Sequence, residues 1–108
     1  MPTMPRIHKS EGQYDKELEG ARKIRRSARW TRFSARLRKD NPLCQAPGHD
    51  GEIAPSSSVH HFQPLIIRPD LAFVEDNCWC LCTACHKQIT DLERNKGIRA
   101  AQMALTII

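Results

Sequence analysis

The 108-residue sequence has few aromatic residues and no long apolar run. Two Trp, one Tyr and three Phe allow only a thin core, so the chain suits one small domain for which a bound metal would be a natural brace. No apolar run approaches the roughly 20 residues of a membrane-spanning helix. The first residues, Met1 to Arg6, lack the apolar centre of a secretory signal. We therefore expect a soluble intracellular protein with no membrane partner.

The five cysteines are an odd number, and a reducing compartment argues against a disulfide framework. Metal binding is the better use for them. The formal net charge of +5 and the pI near 9.2 indicate an anionic partner. Nucleic acid ranks ahead of a membrane surface, because no basic amphipathic anchor with bulky apolar residues is evident.

Acidic residues are absent from Arg22 to Lys39, where nine of the eighteen residues are Lys or Arg. Trp30, Phe33 and Leu37 recur at helical spacing and predict a basic amphipathic helix over residues 21–40. We interpret the aromatic stripe as core and the arginine face as a surface for phosphate groups. The candidate nucleic-acid-binding residues are Arg22, Arg25, Arg26, Arg29, Arg32 and Arg36.

Two short segments carry potential ligands of a structural metal. Cys44 and His49 lie on either side of a Pro-Gly turn, and Cys82-x2-Cys85 provides a second pair. Together they predict a closed, tetrahedral Cys3His zinc site. The sequence leaves the fourth ligand open; the alternatives to His49 are Asp50, a water molecule and Cys80.

The remaining signals predict a strand, a connection, a second strand and a helix. The strands are expected at Ser58 to Phe62 and at about Cys78 to Leu81, and prolines make the segment between them a connection. The helix is expected from about Thr83 to Glu93, with Gly97 as its C-terminal cap. This is a ββα unit.

Three of the five histidines lie on this predicted unit. Neutral imidazoles of His60 and His86 could hold a divalent ion with positions left open for phosphate oxygens and water. His61 would then be the general base of a phosphodiester hydrolysis, and the Asn77 amide would pin the connecting loop to its strand. A regular strand points neighbouring side chains to opposite faces, so His60 and His61 require a bend or a strand end.

The order His60-His61, Asn77 and His86, with Cys82-x2-Cys85 just before the last histidine, resembles the HNH (ββα-metal) endonuclease family. Small phage-type members with a structural zinc are the most similar. The resemblance covers roughly Arg29 to Thr90. It implies an α+β fold: a small ββα-metal domain with a structural zinc site and a preceding basic helix.

The resemblance also implies a metal-dependent hydrolysis of DNA phosphodiester bonds. Water polarised by His61 would attack, and a Mg2+, Mn2+ or Ni2+ ion on His60 and His86 would aid the 3′-oxygen leaving group. The products would end in 5′-phosphate and 3′-hydroxyl. The chain departs from the family pattern at Thr90, where some relatives carry a further histidine, and at Cys44 with His49, where small members have a Cys-x2-Cys pair.

We expect three parts in the chain. The first is a flexible N-terminal arm, residues 1–20, with a short helical piece at Tyr14 to Leu18. The second is a nuclease domain, residues 21–96, in which the basic helix at 21–40 ends at Asn41-Pro42 and the zinc and ββα-metal core occupies 41–96. The third is an apolar tail, residues 97–108. The tail has helical spacing and would either pack on the body or mediate self-association.

A rival interpretation is a non-catalytic zinc-binding protein with a DNA-binding or regulatory role. It explains the cysteines but gives no role to His61 and Asn77. A weaker one is a structural zinc protein that assembles through its tail. The sequence leaves open nicking or double-strand cutting, and action as a homodimer or in a larger phage protein complex. Resemblance alone suggests the cytoplasm of a bacterium or of a phage-infected host cell.

Overall fold

The computed structural model describes residues 11–47, 49 and 53–106, and only the backbone of residues 11, 13 and 14. In this part of the chain, α-helices accompany one two-stranded antiparallel sheet, so the fold is of the α+β class. The elements are α1 (Glu11–Arg26), α2 (Ala28–Asp40), β1 (Ser58–His61), β2 (Cys78–Leu81), α3 (Thr83–Lys96) and α4 (Ile98–Thr106). Within these ranges, no helix combines the length and the apolar character needed to cross a membrane.

The two strands form the hairpin on which the candidate site rests. β1 and β2 are antiparallel, with Ser58 opposite Leu81 and His61 opposite Cys78. β2 has the predicted bounds, and β1 ends one residue earlier than predicted. α3 follows β2 closely and ends at Lys96, and its C-terminal cap is Gly97, whose φ of 95° lies in the region that favours glycine. The predicted ββα unit is therefore confirmed.

The single basic helix predicted over residues 21–40 is wrong, because the structure divides this segment at Ser27. The backbone of Ser27 is extended, with φ −72° and ψ 149°, and its hydroxyl oxygen accepts a hydrogen bond of 3.1 Å from the Trp30 amide. Serine therefore caps α2 instead of continuing α1. The predicted stop at Asn41-Pro42 is confirmed, since α2 ends at Asp40.

Residues 11–20, predicted to belong to a mobile arm, are helical. α1 has basic residues in its last turn, which suits the helix dipole. Its Ala21 packs with Leu65 and Ala72 of the connection between the strands in a small buried cluster. This tertiary contact stabilises a helix that local sequence signals alone do not predict. The rest of the predicted arm, residues 1–10, lies outside the described residues.

A second buried cluster lies where the hairpin, α3 and α4 meet. It contains Leu81, Ile89, Ala101 and Leu105. The apolar C-terminal segment therefore packs on the body, which was one of the two alternatives that the sequence left open. Its last residues, 107–108, lie outside the described residues.

Candidate active site and metal cluster

The end of β1 brings His60 and His61 to one site. His61 is the last residue of the strand, and the chain bends directly after it. Both side chains are buried, with 8% and 5% of their surface exposed. The strand end that this histidine pair requires is therefore present.

A cavity of about 470 Å³ opens beside the hairpin. His60 and His61 line it from β1, and His86 lines it from the first turns of α3. The structure thus gathers the three histidines that were predicted to act together. The cavity wall also includes Arg25 of α1 and Glu93 of α3.

The ring of His61 is held in one orientation. Its Nε2 atom lies 3.1 Å from the carbonyl oxygen of Ala72, and a carbonyl only accepts, so Nε2 carries the proton and donates it. The ring of Trp30 packs beside it, with 4.8 Å between the ring centroids. The opposite nitrogen, Nδ1, is therefore the unprotonated one and can accept a proton.

Burial lowers the pKa of His61, and the positive charges of Arg25 and His60 lower it further, against the opposing effect of the hydrogen bond to Ala72. His61 is accordingly neutral at neutral pH. A neutral imidazole in a cavity has the protonation state that a general base needs.

The side chain of Asn77 fastens the connection between the strands to the residue after the bend. Its Oδ1 atom accepts a hydrogen bond of 2.8 Å from the Gln63 amide, and its Nδ2 group donates to the Gln63 carbonyl at 3.1 Å and to that of Leu71 at 3.4 Å. Asn77 is buried and is absent from the cavity wall. Its contacts therefore tie the connection to the strand end that carries His61.

His60 and His86 face each other across the cavity with 6.0 Å between their ring centroids. Two imidazoles that bind the same ion at about 2.1 Å have ring centroids about 5 to 6 Å apart. The distance between the rings of His60 and His86 is therefore close to that of two ligands of one ion. Burial lowers the pKa of His86, the positive charges of His60 and Arg25 lower it further, and Glu93 opposes the shift. Both the spacing and the neutral ring of His86 suit metal binding.

Sequence reasoning missed Glu93. It lies seven residues after His86 on the same face of α3, and its Oε2 atom is 3.3 Å from Nε2 of His60. The available signal was the spacing of His86, Thr90 and Glu93 along one helical face, since all three line the cavity. A lone glutamate on an amphipathic helix is otherwise indistinguishable from a solvated residue.

A second set of potential ligands lies at the start of α3. The donor atoms of Cys44, His49, Cys82 and Cys85 all lie within 4.8 Å of one another. Nε2 of His49 is 3.2 Å from Sγ of Cys85 and 3.9 Å from Sγ of Cys82. Three sulfurs and one imidazole nitrogen at such spacing can hold a metal ion.

Backbone contacts along the hairpin edge bring Cys44 to this cluster. Its amide donates to the Ala54 carbonyl at 2.8 Å, and the next amide, of Gln45, donates to the Cys80 carbonyl at 2.8 Å. The Gln45 side chain accepts in return from the Cys80 amide at 2.7 Å. These contacts fix the segment after α2 against β2, so the first cysteine faces the pair at the start of the helix.

The thiols of the cluster crowd one another. The Cys85 amide donates to Sγ of Cys82, which lowers the pKa of Cys82. Burial and the neighbouring thiols raise the pKa of Cys85 to about 12. Thiolates so close together repel unless a cation lies between them, so the donor set fits a metal ion.

The alternatives for the fourth ligand fare differently. Asp50 lies outside the described residues, and Cys80 is not part of the cluster. Cys80 is fully buried in β2, and burial raises the pKa of Cys78 to about 12. Cys80 therefore acts as a small buried residue and Cys78 as a half-buried one, and neither belongs to the ligand cluster.

The predicted arginine face divides into distinct environments. Arg25 lines the cavity with the histidines. Arg29, Arg32 and Arg36 line a separate cleft of about 460 Å³ with Phe33 and Phe73, and Arg29 lies 3.8 Å from the centroid of the Phe73 ring. The other two candidates, Arg22 and Arg26, are exposed on α1, and Arg26 pairs with Glu19 at 2.6 Å.

The chain is similar to a solved structure, the HNH endonuclease of deep-sea thermophilic bacteriophage GVE2 with manganese ion. The two chains share 30% sequence identity and superpose with a TM-score of 0.71 over 82% of this chain and 97% of the other. No protein-family model matches the chain, and no curated protein matches it. The similarity to known proteins therefore rests on that structure, and the superposition covers 97% of the phage protein's chain.

Proposed function

Because this chain belongs to the HNH endonuclease family, we propose that it is a metal-dependent endonuclease that hydrolyses DNA phosphodiester bonds. The observation that carries the proposal is the orientation of His61. Its Nε2–H group is committed to the Ala72 carbonyl, which leaves Nδ1 free as an acceptor in a cavity that His60 and His86 also line.

His61 is the general base. Nδ1 accepts a proton from the attacking water, and the positive charge that develops on the ring is stabilised by the hydrogen bond from Nε2 to Ala72. The ring of Trp30 restricts rotation of the imidazole, so the acceptor atom keeps its direction. The Asn77 side chain holds the strand end in place and touches no reacting atom.

His60 and His86 would hold the catalytic divalent cation, for which Mg2+, Mn2+ and Ni2+ are candidates. An ion held there would supply positive charge for the scissile phosphate and for the departing 3′-oxygen. The spacing of the two rings and their position beside His61 support this assignment. The expected products carry 5′-phosphate and 3′-hydroxyl ends.

Arginines bind the DNA backbone in two roles. Arg25 lies in the cavity wall, where its guanidinium meets the phosphate that reacts. Arg29, Arg32 and Arg36 bind neighbouring phosphates along their cleft, and Arg22 and Arg26 extend the positive surface on α1. Phosphate contacts of this kind position the duplex without reading its sequence.

The cluster of Cys44, His49, Cys82 and Cys85 binds a structural zinc ion. Thiolate and imidazole donors suit zinc, and a set of four protein ligands leaves no open position for catalysis. The ion joins the segment after α2 to the first turn of α3, and His86 follows Cys85 directly. Zinc thereby braces the helix that carries one ligand of the catalytic ion. Thiols kept reduced for this purpose suit the cytoplasm of a bacterium or an infected host cell.

The test is cleavage of supercoiled plasmid by the purified full-length protein with zinc in its cluster. Separate reactions contain Mg2+, Mn2+, Ni2+ or EDTA. We expect metal-dependent conversion to nicked or linear DNA, and the form of the product distinguishes nicking from double-strand cutting. Plasmid that is bound but uncut under every metal would contradict the proposal and favour a non-catalytic zinc-binding protein that binds DNA.

A further inference from the structure

Glu93 presents a carboxylate oxygen to the cavity in an unusual state. Its Oε2 atom is buried and accepts no hydrogen bond from the described residues. The side chain as a whole is one-quarter exposed, and its Oε2 atom lies 3.3 Å from Nε2 of His60. A buried carboxylate oxygen without a donor costs free energy unless a cation compensates it.

The contact with His60 does not provide this compensation. The two atoms are close, but the pair has no aligned hydrogen bond, because Oε2 of Glu93 remains without a donor. The imidazole nitrogen and the carboxylate oxygen are nevertheless neighbours, and both residues line the cavity. Two ligands of one cation approach each other in this way, because each directs a lone pair at the ion.

We propose that Glu93 is a third protein ligand of the divalent ion in the cavity and completes a set of two histidines and one carboxylate with His60 and His86. The inference rests on the proposed function, since it concerns the same ion. It also accounts for Thr90: the helical position one turn after His86 carries no ligand, and the position two turns after it carries a carboxylate.

A carboxylate changes which ions the cavity selects. Imidazole suits Ni2+ and Zn2+, whereas carboxylate oxygen suits Mg2+ and Mn2+. The negative charge of Glu93 also offsets part of the charge of the ion beside the nearby Arg25. The mixed set therefore adds an oxygen ligand of a type that Mn2+ accepts, while the thiols of the separate Cys/His cluster favour zinc.

A bound ion would draw the three side chains closer together. In the described part of the chain, the Cys/His cluster is the group in which three or more potential ligand atoms lie within 4.8 Å of one another. The His60, His86 and Glu93 set is wider, with 6.0 Å between the two ring centroids. A small rotation of the His86 or Glu93 side chain, both of which border open cavity space, brings the donors to one ion.

The experiment measures Mn2+ binding by the full-length protein with zinc in its Cys/His cluster. The loss of the signal of free Mn2+ in electron paramagnetic resonance gives the affinity without any need for catalysis. Glu93→Gln keeps the shape of the side chain and removes its charge. His86→Ala is the positive control for loss of the site, and Asp91→Asn removes a carboxylate from α3 outside the cavity wall.

We expect Glu93→Gln to weaken Mn2+ binding at least tenfold, as His86→Ala does, while Asp91→Asn binds like the wild type. The rise in Tm that Mn2+ causes should likewise be smaller for Glu93→Gln and His86→Ala than for the wild type and Asp91→Asn. Because a lost protein ligand is replaced by water, Glu93→Ala should also raise the water-proton relaxation per bound ion. A glutamate that only oriented His60 would leave this relaxation unchanged, which would overturn the assignment as a ligand.

The outcomes separate the inference from the proposed function. If Glu93→Gln binds Mn2+ like the wild type while His86→Ala does not, the ion site is real and the third ligand is overturned. If the wild type binds no Mn2+ beyond its zinc cluster, the inference is overturned together with the catalytic ion of the proposed function.

Discussion

Asn77→Asp should destabilise the protein although it exchanges one NH2 group for one oxygen. The new carboxylate still accepts the hydrogen bond from the Gln63 amide, which measures 2.8 Å in the wild type. Its second oxygen replaces the Nδ2 group that donates to the carbonyls of Gln63 and Leu71, at 3.1 and 3.4 Å. Two donated bonds become contacts between acceptors, and the added charge is buried.

The magnitude follows from these contacts. Each buried group left without its partner costs about 1 to 3 kcal/mol, so we expect Asn77→Asp to lower the free energy of unfolding by about 2 kcal/mol or more. For a domain of this size, the corresponding fall in Tm is roughly 10 °C. Because Asn77 holds the strand end that carries His61 and is absent from the cavity wall, kcat should fall while the Kd for DNA stays near that of the wild type.

The assay is thermal unfolding at neutral pH with zinc content matched between variants, followed by single-turnover cleavage. Asn95→Asp, the same exchange at an exposed position of α3, is the control and should change stability by less than about 0.5 kcal/mol. A Tm for Asn77→Asp within about 2 °C of the control would refute the positioning role of the amide.

Three further predictions concern the zinc cluster, the arginine cleft and the ring beside the base. Cys85→Ser should lower bound zinc below one ion per chain and reduce Tm, measured by metal analysis and circular dichroism; full zinc content with unchanged Tm would contradict the cluster. Arg32→Ala should weaken binding to all DNA sequences alike and reduce the magnitude of the slope of log K against log salt by about 0.9. Lys87→Ala, at an exposed position of α3, is the control and should leave this slope unchanged. An unchanged slope for Arg32→Ala would show that Arg32 does not contact DNA. Trp30→Ala should cost about 2 kcal/mol or more in urea unfolding, since its ring packs on His61 and Phe73, and a smaller loss would show that these contacts contribute little.

The hairpin and α3 were predictable because their signals are local. Short β-compatible runs on either side of a proline-containing connection mark the strands, and Gly97 supplies the positive φ directly after α3. The grouping of Cys44 with Cys82-x2-Cys85 was predictable for a chemical reason, since cysteines in a reduced protein collect at metal sites.

The N-terminal helices were not predictable from local pattern. α1 extends back to Glu11 because Ala21 packs on Leu65 and Ala72, residues that are more than 40 positions away in the sequence. Ser27 divides the basic segment because its hydroxyl caps α2. A serine within a sequence of helical spacing gives no local sign that it caps a new helix.

The carboxylate of the candidate site escaped sequence reasoning for a related reason. Glu93 is distinguished from other acidic residues of α3 only by its approach to His60, which depends on how the helix packs on the hairpin. Packing of α3 against β1 is a tertiary property. The histidine ligands were visible in the sequence because their residue type is rare, whereas glutamate is common on helix surfaces.

Single-turnover cleavage by His61→Ala tests whether His61 removes the proton from the attacking water. With wild-type zinc content, we expect a rate at least about 100-fold below the wild type, DNA binding unchanged, and partial recovery when free imidazole enters the vacated space beside Trp30. His8→Ala, which removes a histidine elsewhere in the sequence, is the matched control. Cleavage by His61→Ala at the rate of this control would contradict the account.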